Sequence, residues 1–161
     1  MDYNKLAELL FPDVVNGPDY YEKKFPERDL PKGAEVTRMA PSPTGFIHLG
    51  NLYSALADEG AGFTDADPQN VYGPYFQRQR VEIYHAYAKD LVKRGLAYPC
   101  FCTEEELEEV RKEQEEDKVM TGYYGKYAVC RNLTLEDIEA KLKAGLTYVL
   151  RLRSAGSPDK E

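Results

Sequence analysis

A short run of the sequence, from Arg38 to Asn51, has the residue types of an anion-binding turn. Residues 35–40 favour a short strand, the prolines and glycine of residues 41–45 exclude regular structure, and a helix is predicted to begin near His48. This order places free backbone N–H groups and the positive end of a helix dipole at one point. Gly50 would let a flat base or a phosphate approach the backbone, and His48 could donate hydrogen bonds to phosphate oxygens. The run therefore predicts a site for a phosphate-bearing ligand.

Three cysteines form a second candidate group. Cys100 and Cys102 are too close along the chain to pair easily in a disulfide, and Cys130 stands alone. A disulfide-stapled secreted fold is therefore not expected. Two interpretations remain, namely reduced thiols in a small core or ligands of a metal ion. Zinc binds thiolates well and usually takes four ligands, so a zinc site would need one further group.

The overall composition indicates a soluble protein of about one domain. Hydrophobic residues make up 42% of the 161 residues and charged residues 30%, enough for a core beneath a polar surface. The net charge of −7 argues against a dedicated nucleic-acid binder, whose affinity comes mainly from neutralising phosphates. The sequence contains no long apolar run and begins with no signal-peptide pattern. We therefore expect no membrane span and a cytoplasmic location.

The elements that would position the phosphate site follow from apolar spacing and from turn residues. Residues 3–11 favour a short helix, whereas residues 12–34 contain so many prolines and glycines that we expect a surface arm. Residues 77–94 predict a long helix that Gly95 ends. The apolar residues spaced along this helix predict its buried stripe, which consists of Val81, Tyr84, Ala88 and Leu91.

Two further helices and two strands are predicted around the cysteines. Residues 103–118 favour a helix, because Thr103 and Glu106 have the spacing of a capping box at its start. Residues 134–145 favour another helix, which begins at a threonine and ends at a glycine. Residues 96–101 and 147–153 have the pattern of short strands.

Several motifs of the chain together resemble a known family. Residues 38–51 resemble the Arg-x-Ala-Pro-Ser-Pro-Thr-Gly…His-x-Gly pattern of the glutamyl/glutaminyl class I aminoacyl-tRNA synthetases, with His48-Leu49-Gly50-Asn51 at the place of their "HIGH" motif. Residues 72–80 are similar to the family's "GPYxQSxR" segment, and residues 95–103 to its "G.AYPCFCT" segment. Residues 148–153 resemble the strand that follows the zinc-bearing insertion of the family. The resemblance covers most of the chain, from about residue 36 to residue 153.

The resemblance implies an α/β fold, with a partial Rossmann-like nucleotide-binding fold of the class I synthetase (HUP) type and an inserted small α+β subdomain. Residues 1–34 would be an N-terminal arm, and residues 35–98 the partial nucleotide-binding half. Residues 99–161 would hold the inserted subdomain, a candidate zinc site and the start of the following strand.

The resemblance implies that the protein uses ATP, with Mg²⁺, to convert glutamate to glutamyl-adenylate and then transfers the glutamyl group to tRNA(Glu). It also implies that the protein is a monomer. His48 would be the catalytic residue that contacts the ATP phosphates as charge builds on them. By matched position, the ATP-binding residues would be His48, Gly50, Asn51 and Ser42, and the amino-acid-binding residues would be Arg38, Ala40 and Ser42. Taken outside this motif, Arg38 would be an ordinary charge on an edge strand.

The resemblance also bears on the cysteines. Some family members complete a zinc site with a Tyr or His near the last cysteine. This implies metal ligation by Cys100, Cys102, Cys130 and Tyr124, with Tyr127 as the second candidate for the fourth ligand. Three reduced thiols in a small core are the alternative.

Two family segments have no counterpart in the sequence. Only about a dozen residues separate the helix near His48 from Tyr72, whereas a strand and crossover helix need about 30 or more. The family's "LRIEDTD"-like strand is missing there, as though an internal block had been removed, and its "KMSKS" lysine loop is also missing. A non-catalytic ATP- or zinc-binding relic of a synthetase gene is therefore the rival interpretation, and a small zinc-binding interaction domain is a third. The motifs do not decide between glutamate and glutamine tRNA.

Overall fold

The computed structural model describes residues 1–34, 67 and 69–154. The chain divides into two compact units, one of Met1–Pro18 with Tyr84–Glu161 and the other of Asp19–Ile83. Among the described residues, no helix combines the length and the apolar character that crossing a membrane requires. The helices and strands confirm those predicted within the described residues, and a further short helix, Pro18–Lys24, forms in the segment predicted to be a surface arm. In chain order they are α1 (Tyr3–Leu10), α2 (Pro18–Lys24), a 3-10 turn (Gln77–Arg80), α3 (Val81–Lys93), β1 (Ala97–Cys100), α4 (Glu104–Glu116), a 3-10 turn (Gly125–Tyr127), α5 (Leu135–Lys143) and β2 (Val149–Leu152).

The sheet in the described part of the chain has two antiparallel strands. β1 pairs with β2 in a register that sets Cys100 opposite Val149 and Tyr98 opposite Arg151. All four residues of β1 are buried, whereas β2 is exposed or half-buried. β1 is therefore the strand at the core, and its last residue, Cys100, is held firmly in place.

The core of the first unit gathers one face from each surrounding element. An amphipathic helix buries its apolar residues three and four positions apart, and α1 does so with Leu6, Ala7 and Leu10. The strand β1 lies against them, and Ile138 of α5 is 2% exposed. The buried core residues are Leu6, Ala7, Leu10, Val92, Ala97, Tyr98, Cys100, Phe101, Cys130 and Ile138.

The helix ends are set by the residues that the sequence indicated. Thr103 and Glu106 form a complete capping box at the start of α4, with N···O distances of 3.2 and 2.8 Å. Gly95 ends α3 with a φ of +70°, and its N–H donates to the carbonyl of Val92 at 2.9 Å. A side chain at Gly95 would meet the ring of Tyr3 at 3.0 Å. These ends fix where β1 and α4 begin.

The buried face of α3 differs from the predicted stripe. Val81 and Tyr84 are 44% and 45% exposed, and the buried residues are Ala86, Lys89 and Val92. Ala88 and Leu91 of the predicted stripe are half-buried, and Leu91 packs against the core. The prediction was therefore wrong for Val81 and Tyr84, because the buried face includes a lysine, which apolar spacing cannot detect.

Lys89 is buried because the end of α1 offers it three oxygen acceptors. Its Nζ donates to the carbonyls of Phe11 and Val14 at 3.1 and 2.9 Å, and to Glu8 Oε2 at 2.7 Å. All three ammonium protons therefore have partners, which a buried cation requires. Lys93 contacts the same Glu8 side chain at 3.2 Å but remains 41% exposed.

We predict that Lys89→Met lowers the free energy of unfolding by about 2 kcal/mol, because two carbonyls and a carboxylate lose a charged donor. The matched variant Lys93→Met removes a solvent-exposed partner of the same carboxylate and should cost less than about 1 kcal/mol. Urea denaturation followed by circular dichroism measures both. Equal losses for the two variants would contradict the assigned role of Lys89.

Candidate metal centre

Three thiols meet where β1 ends. Cys100 closes β1, Cys102 follows two residues later, and Cys130 lies in the turn before α5. Their sulfur atoms all lie within 4.8 Å of one another, and the Sγ atoms of Cys102 and Cys130 are 3.6 Å apart. Cys100 and Cys130 are buried, and Cys102 is half-buried. The prediction that these three cysteines form one group is therefore consistent with the structure.

Local backbone structure explains why the thiols converge. Residues two apart along an extended segment point to the same side, which gives Cys100 and Cys102 a common direction. The N–H of Arg131 donates to the carbonyl of Ala128 at 2.9 Å and closes the turn that carries Cys130. The N–H of Phe101 then donates to the Cys130 sulfur at 3.5 Å, which links the turn to the end of the strand.

A tyrosine hydroxyl completes the cluster, and it belongs to Tyr123. Its Oη lies 3.4 Å from the sulfur of Cys100 and 3.2 Å from that of Cys102. It also accepts a hydrogen bond from the N–H of Cys130 at 3.0 Å. Four potential donor atoms, three sulfurs and one oxygen, therefore face one another.

The structure corrects the position assigned to Tyr124. Its hydroxyl donates to the carbonyl of Met120, away from the thiols, and its ring packs edge-on against Tyr127. The hydroxyl of Tyr127, the second candidate, donates to Asp117 at 2.9 Å. A difference of one residue therefore decides which tyrosine reaches the cysteines. The sequence pattern did not contain that information.

A buried glutamine holds the loop that carries Tyr123. Gln114 of α4 is 0% exposed, and its side-chain amide pairs with both backbone groups of Gly122. Its Nε2 donates to the Gly122 carbonyl at 2.8 Å, and the Gly122 N–H donates to its Oε1 at 2.9 Å. A charged surface helix is thereby tied to the loop. Gln114 is a positioning residue that the sequence analysis did not identify, because α4 has few apolar residues.

Three arginines lie near the cluster, namely Arg131 in the turn after Cys130, Arg151 in β2 and Arg153 just after β2. The Arg151 guanidinium lies 4.1 Å from the centre of the Tyr123 ring, and Arg153 lies 5.2 Å from that of Tyr98. Arg131 and Arg153 donate to the carbonyls of Ser154 and Arg131 at 2.6 and 2.8 Å. In the part of the chain that the structure describes, none of the three arginines forms an ion pair with a carboxylate.

The thiols differ in acidity. Burial raises the pKa of Cys100, but hydrogen bonds from the Tyr123 hydroxyl, the Cys102 backbone and the Arg151 guanidinium outweigh burial and lower it to about 7. Burial raises the pKa of Cys102 to about 12, and the neighbouring thiols add to this increase despite the hydrogen bond with Tyr123. Burial also raises the pKa of Tyr123, as do its hydrogen bonds with the two thiols. Cys100 therefore ionises at a lower pH than Cys102.

The separations suit a tetrahedral metal ion. Two sulfur ligands at about 2.3 Å from zinc lie about 3.8 Å apart at the tetrahedral angle. The 3.6 Å between Cys102 and Cys130 is close to this value, and the Tyr123 hydroxyl lies at a similar distance from two sulfurs. The donor set fits zinc without a large rearrangement.

The residues of the predicted phosphate site lie outside the described part of the chain, so their predicted roles stay predictions. They are Arg38, Ala40, Ser42, His48, Gly50 and Asn51.

The chain is similar to a family of tRNA synthetases. The family model for class I tRNA synthetases (E and Q), catalytic domain, matches residues 61–160. A glutamate–tRNA ligase of Acetivibrio thermocellus is 46% identical, with 99% of this chain and 37% of the relative covered. Glutamate–tRNA ligases of Clostridium beijerinckii and Clostridium perfringens are 38% and 37% identical, again with 99% of this chain covered. The chain spans 36–37% of the length of these curated relatives.

The alignments also bear on the missing block. The alignment with the Acetivibrio thermocellus relative extends over 204 positions, although the chain has only 161 residues. Since 99% of the chain is used, the other positions of the relative face gaps inside this chain. This agrees with the predicted loss of an internal block.

We predict that Gln114→Leu lowers the free energy of unfolding by about 2 kcal/mol, because both backbone groups of Gly122 lose their partners. Amide hydrogen exchange in residues 120–125 should accelerate as the loop loosens. The neighbouring exposed residue provides the control, and Glu115→Leu should leave both quantities nearly unchanged. Unchanged exchange in Gln114→Leu would show that the amide pair does not hold the Tyr123 loop.

Proposed function

This chain belongs to the family of class I tRNA synthetase catalytic domains for glutamate and glutamine, and we propose that it serves the ATP-dependent joining of glutamate to tRNA(Glu). The observation that carries this proposal is the 46% identity to a glutamate–tRNA ligase over 99% of the chain. In such a reaction a carboxylate oxygen of glutamate attacks the α-phosphorus of ATP, and pyrophosphate leaves with its Mg²⁺. The glutamyl group of the adenylate then passes to the 3′ end of the tRNA.

The proposal assigns the nucleotide site to the turn and helix start in residues 38–51. There His48 neutralises charge that builds on the phosphates, and the free N–H groups of the helix start bind phosphate oxygens. Arg38 holds a substrate carboxylate as a bidentate fork. Residues 35–98 form the partial Rossmann-like half, and residues 99–161 form the inserted subdomain. The remaining binding residues in this assignment are Ala40, Ser42, Gly50 and Asn51.

tRNA is the proposed macromolecular partner, and the protein acts as a cytoplasmic monomer. Two half-buried arginines, Arg131 and Arg153, support a nucleic-acid partner, because neither is neutralised by a carboxylate among the residues that the structure describes. Their guanidinium groups are held in place by backbone carbonyls, which leaves further N–H groups for phosphate oxygens. This pair provides local positive charge in a chain with a net charge of −7.

A non-catalytic relic is the second candidate, and the gaps within the alignments favour it. In the family, a carboxylate for the amino-acid site comes from the strand that this sequence lacks. A chain without that strand could bind ATP through residues 38–51 without activating glutamate. The two candidates therefore predict the same nucleotide binding and differ in the chemical step.

We predict that this chain binds ATP with Mg²⁺ and that His48→Ala weakens binding about tenfold, the effect of one lost hydrogen bond to a charged phosphate. Isothermal titration calorimetry measures the affinity. The other histidine of the chain provides the control, since His85 packs its ring 5.6 Å from that of Phe11 and lies outside the motif. His85→Ala should bind ATP as the unaltered chain does.

Glutamate-dependent exchange of labelled pyrophosphate into ATP separates the two candidates. Exchange that His48→Ala abolishes supports a working activation site, whereas ATP binding without exchange supports the relic. Failure to bind ATP, or equal losses in His48→Ala and His85→Ala, would contradict the nucleotide site itself.

The thiol cluster is proposed to hold one zinc ion. Cys100, Cys102 and Cys130 supply thiolates, and the Tyr123 hydroxyl supplies the fourth donor. Four protein ligands leave no open position, so the metal is structural and stabilises the inserted subdomain. The close approach of the donor atoms supports this, because their separations match those of ligands around a tetrahedral zinc ion.

We predict one zinc ion per chain by elemental mass spectrometry, and its loss in Cys130→Ser. Tyr123→Phe should weaken zinc binding about tenfold in a chelator competition, since one donor is removed. Tyr124→Phe is the matched control and should bind zinc normally, because its hydroxyl faces Met120. A purified protein without zinc, or a larger loss in Tyr124→Phe than in Tyr123→Phe, would contradict the assigned ligand set.

A further inference from the structure

Arg151 is a half-buried cation for which the structure shows no carboxylate partner among the described residues. Its Nε is buried and has no hydrogen-bond partner there. A guanidinium cannot release its proton in a protein, so burial without a counter-charge is unfavourable. The position of Arg151 therefore calls for an anionic group nearby.

The thiol cluster is the group that Arg151 faces. In the sheet register, Arg151 lies opposite Tyr98, two residues from the strand end that carries Cys100. Its guanidinium stacks on the ring of Tyr123 at 4.1 Å. Its positive charge also lowers the pKa of Cys100, which the same tyrosine hydroxyl contacts.

We propose that Arg151 is a positioning residue of the metal centre, where it balances the charge of the thiolates and fixes the Tyr123 ring. Three thiolates carry three negative charges and zinc carries two positive ones, so a loaded centre retains at least one negative charge in a half-buried place. The Arg151 guanidinium supplies the matching positive charge. This inference rests on the zinc centre proposed above and adds a residue that is not itself a ligand.

The arginine that follows the end of β2, Arg153, shows why the role belongs to Arg151. Arg153 lies on the same side of the strand and also stacks on a tyrosine, but its ring partner is Tyr98 at 5.2 Å. Its Nη2 donates to the carbonyl of Arg131 at 2.8 Å. Arg153 therefore matches Arg151 in residue type, in its buried and unpartnered Nε and in stacking on a tyrosine, while its tyrosine is not one of the four donors of the cluster.

The test is zinc affinity, measured by competition with a chelator at constant neutral pH. Arg151→Gln should raise the zinc dissociation constant about 10- to 100-fold, the usual effect of losing a partner that supports metal ligands. Arg153→Gln should change it less than about twofold. Arg151→Lys keeps the charge without the planar stacking group, so it should lose less affinity than Arg151→Gln.

Stability without metal separates positioning from general support of the fold. Urea denaturation of the zinc-free proteins should give similar midpoints for Arg151→Gln and Arg153→Gln, since the proposed role acts on the loaded centre. If Arg151→Gln does not fold, Arg151→Lys is compared with Arg153→Lys, and a greater loss of zinc affinity at position 151 supports the role.

The inference and the zinc proposal fail in different ways. If the unaltered protein binds zinc and the Arg151 variants bind it equally well, or if Arg153 variants lose as much, the role of Arg151 is overturned and the zinc centre stands. If the unaltered protein binds no zinc, both are overturned.

Discussion

The structure around β1 depends on one convergence, in which the Tyr123 hydroxyl contacts two thiols at the end of β1 and the backbone N–H of a third cysteine, Cys130. Cys100 and Cys102 come from the end of β1, Cys130 from the turn before α5, and Tyr123 from the loop after α4. Each pair of these segments is linked by hydrogen bonds to sulfur or to the phenol oxygen. Gln114 holds the tyrosine loop from the side of α4, and Arg151 covers the tyrosine ring from the side of β2. The strand end, the turn and the loop therefore share one polar anchor beside the apolar core.

Much of this framework could be predicted from the sequence, because local rules decide it. Gly95 ends α3 since only a residue without a side chain accepts its positive φ beside the Tyr3 ring. Thr103 caps the start of α4, because its side chain accepts a hydrogen bond from the N–H of Glu106 and the Glu106 side chain accepts one from the N–H of Thr103. Both features depend on residues a few positions apart, whereas the grouping of Cys130 with the other two cysteines was indicated by the family resemblance.

The features that could not be predicted depend on tertiary packing. Lys89 lies in the buried face of α3 because the end of α1 presents carbonyls there, and no periodicity of α3 encodes that. Tyr123 reaches the thiols and Tyr124 does not because Gln114 fixes the loop one residue away, at Gly122. β1 pairs with β2, which lies about 50 residues later in the chain. Local turn and strand signals cannot specify which distant strand is the partner. The run predicted to bind a nucleotide, residues 38–51, lies outside the described part of the chain, so its role stays a prediction.

Membership in the synthetase family and the thiol cluster support one account of the protein, in which a metal-braced subdomain accompanies a nucleotide-binding half. X-ray absorption at the zinc edge of the loaded protein tests the centre of that account most directly. Three sulfur atoms at about 2.3 Å and one oxygen at about 2.0 Å are the expected first shell. A shell made of solvent oxygens, or one with fewer than three sulfurs, would contradict it.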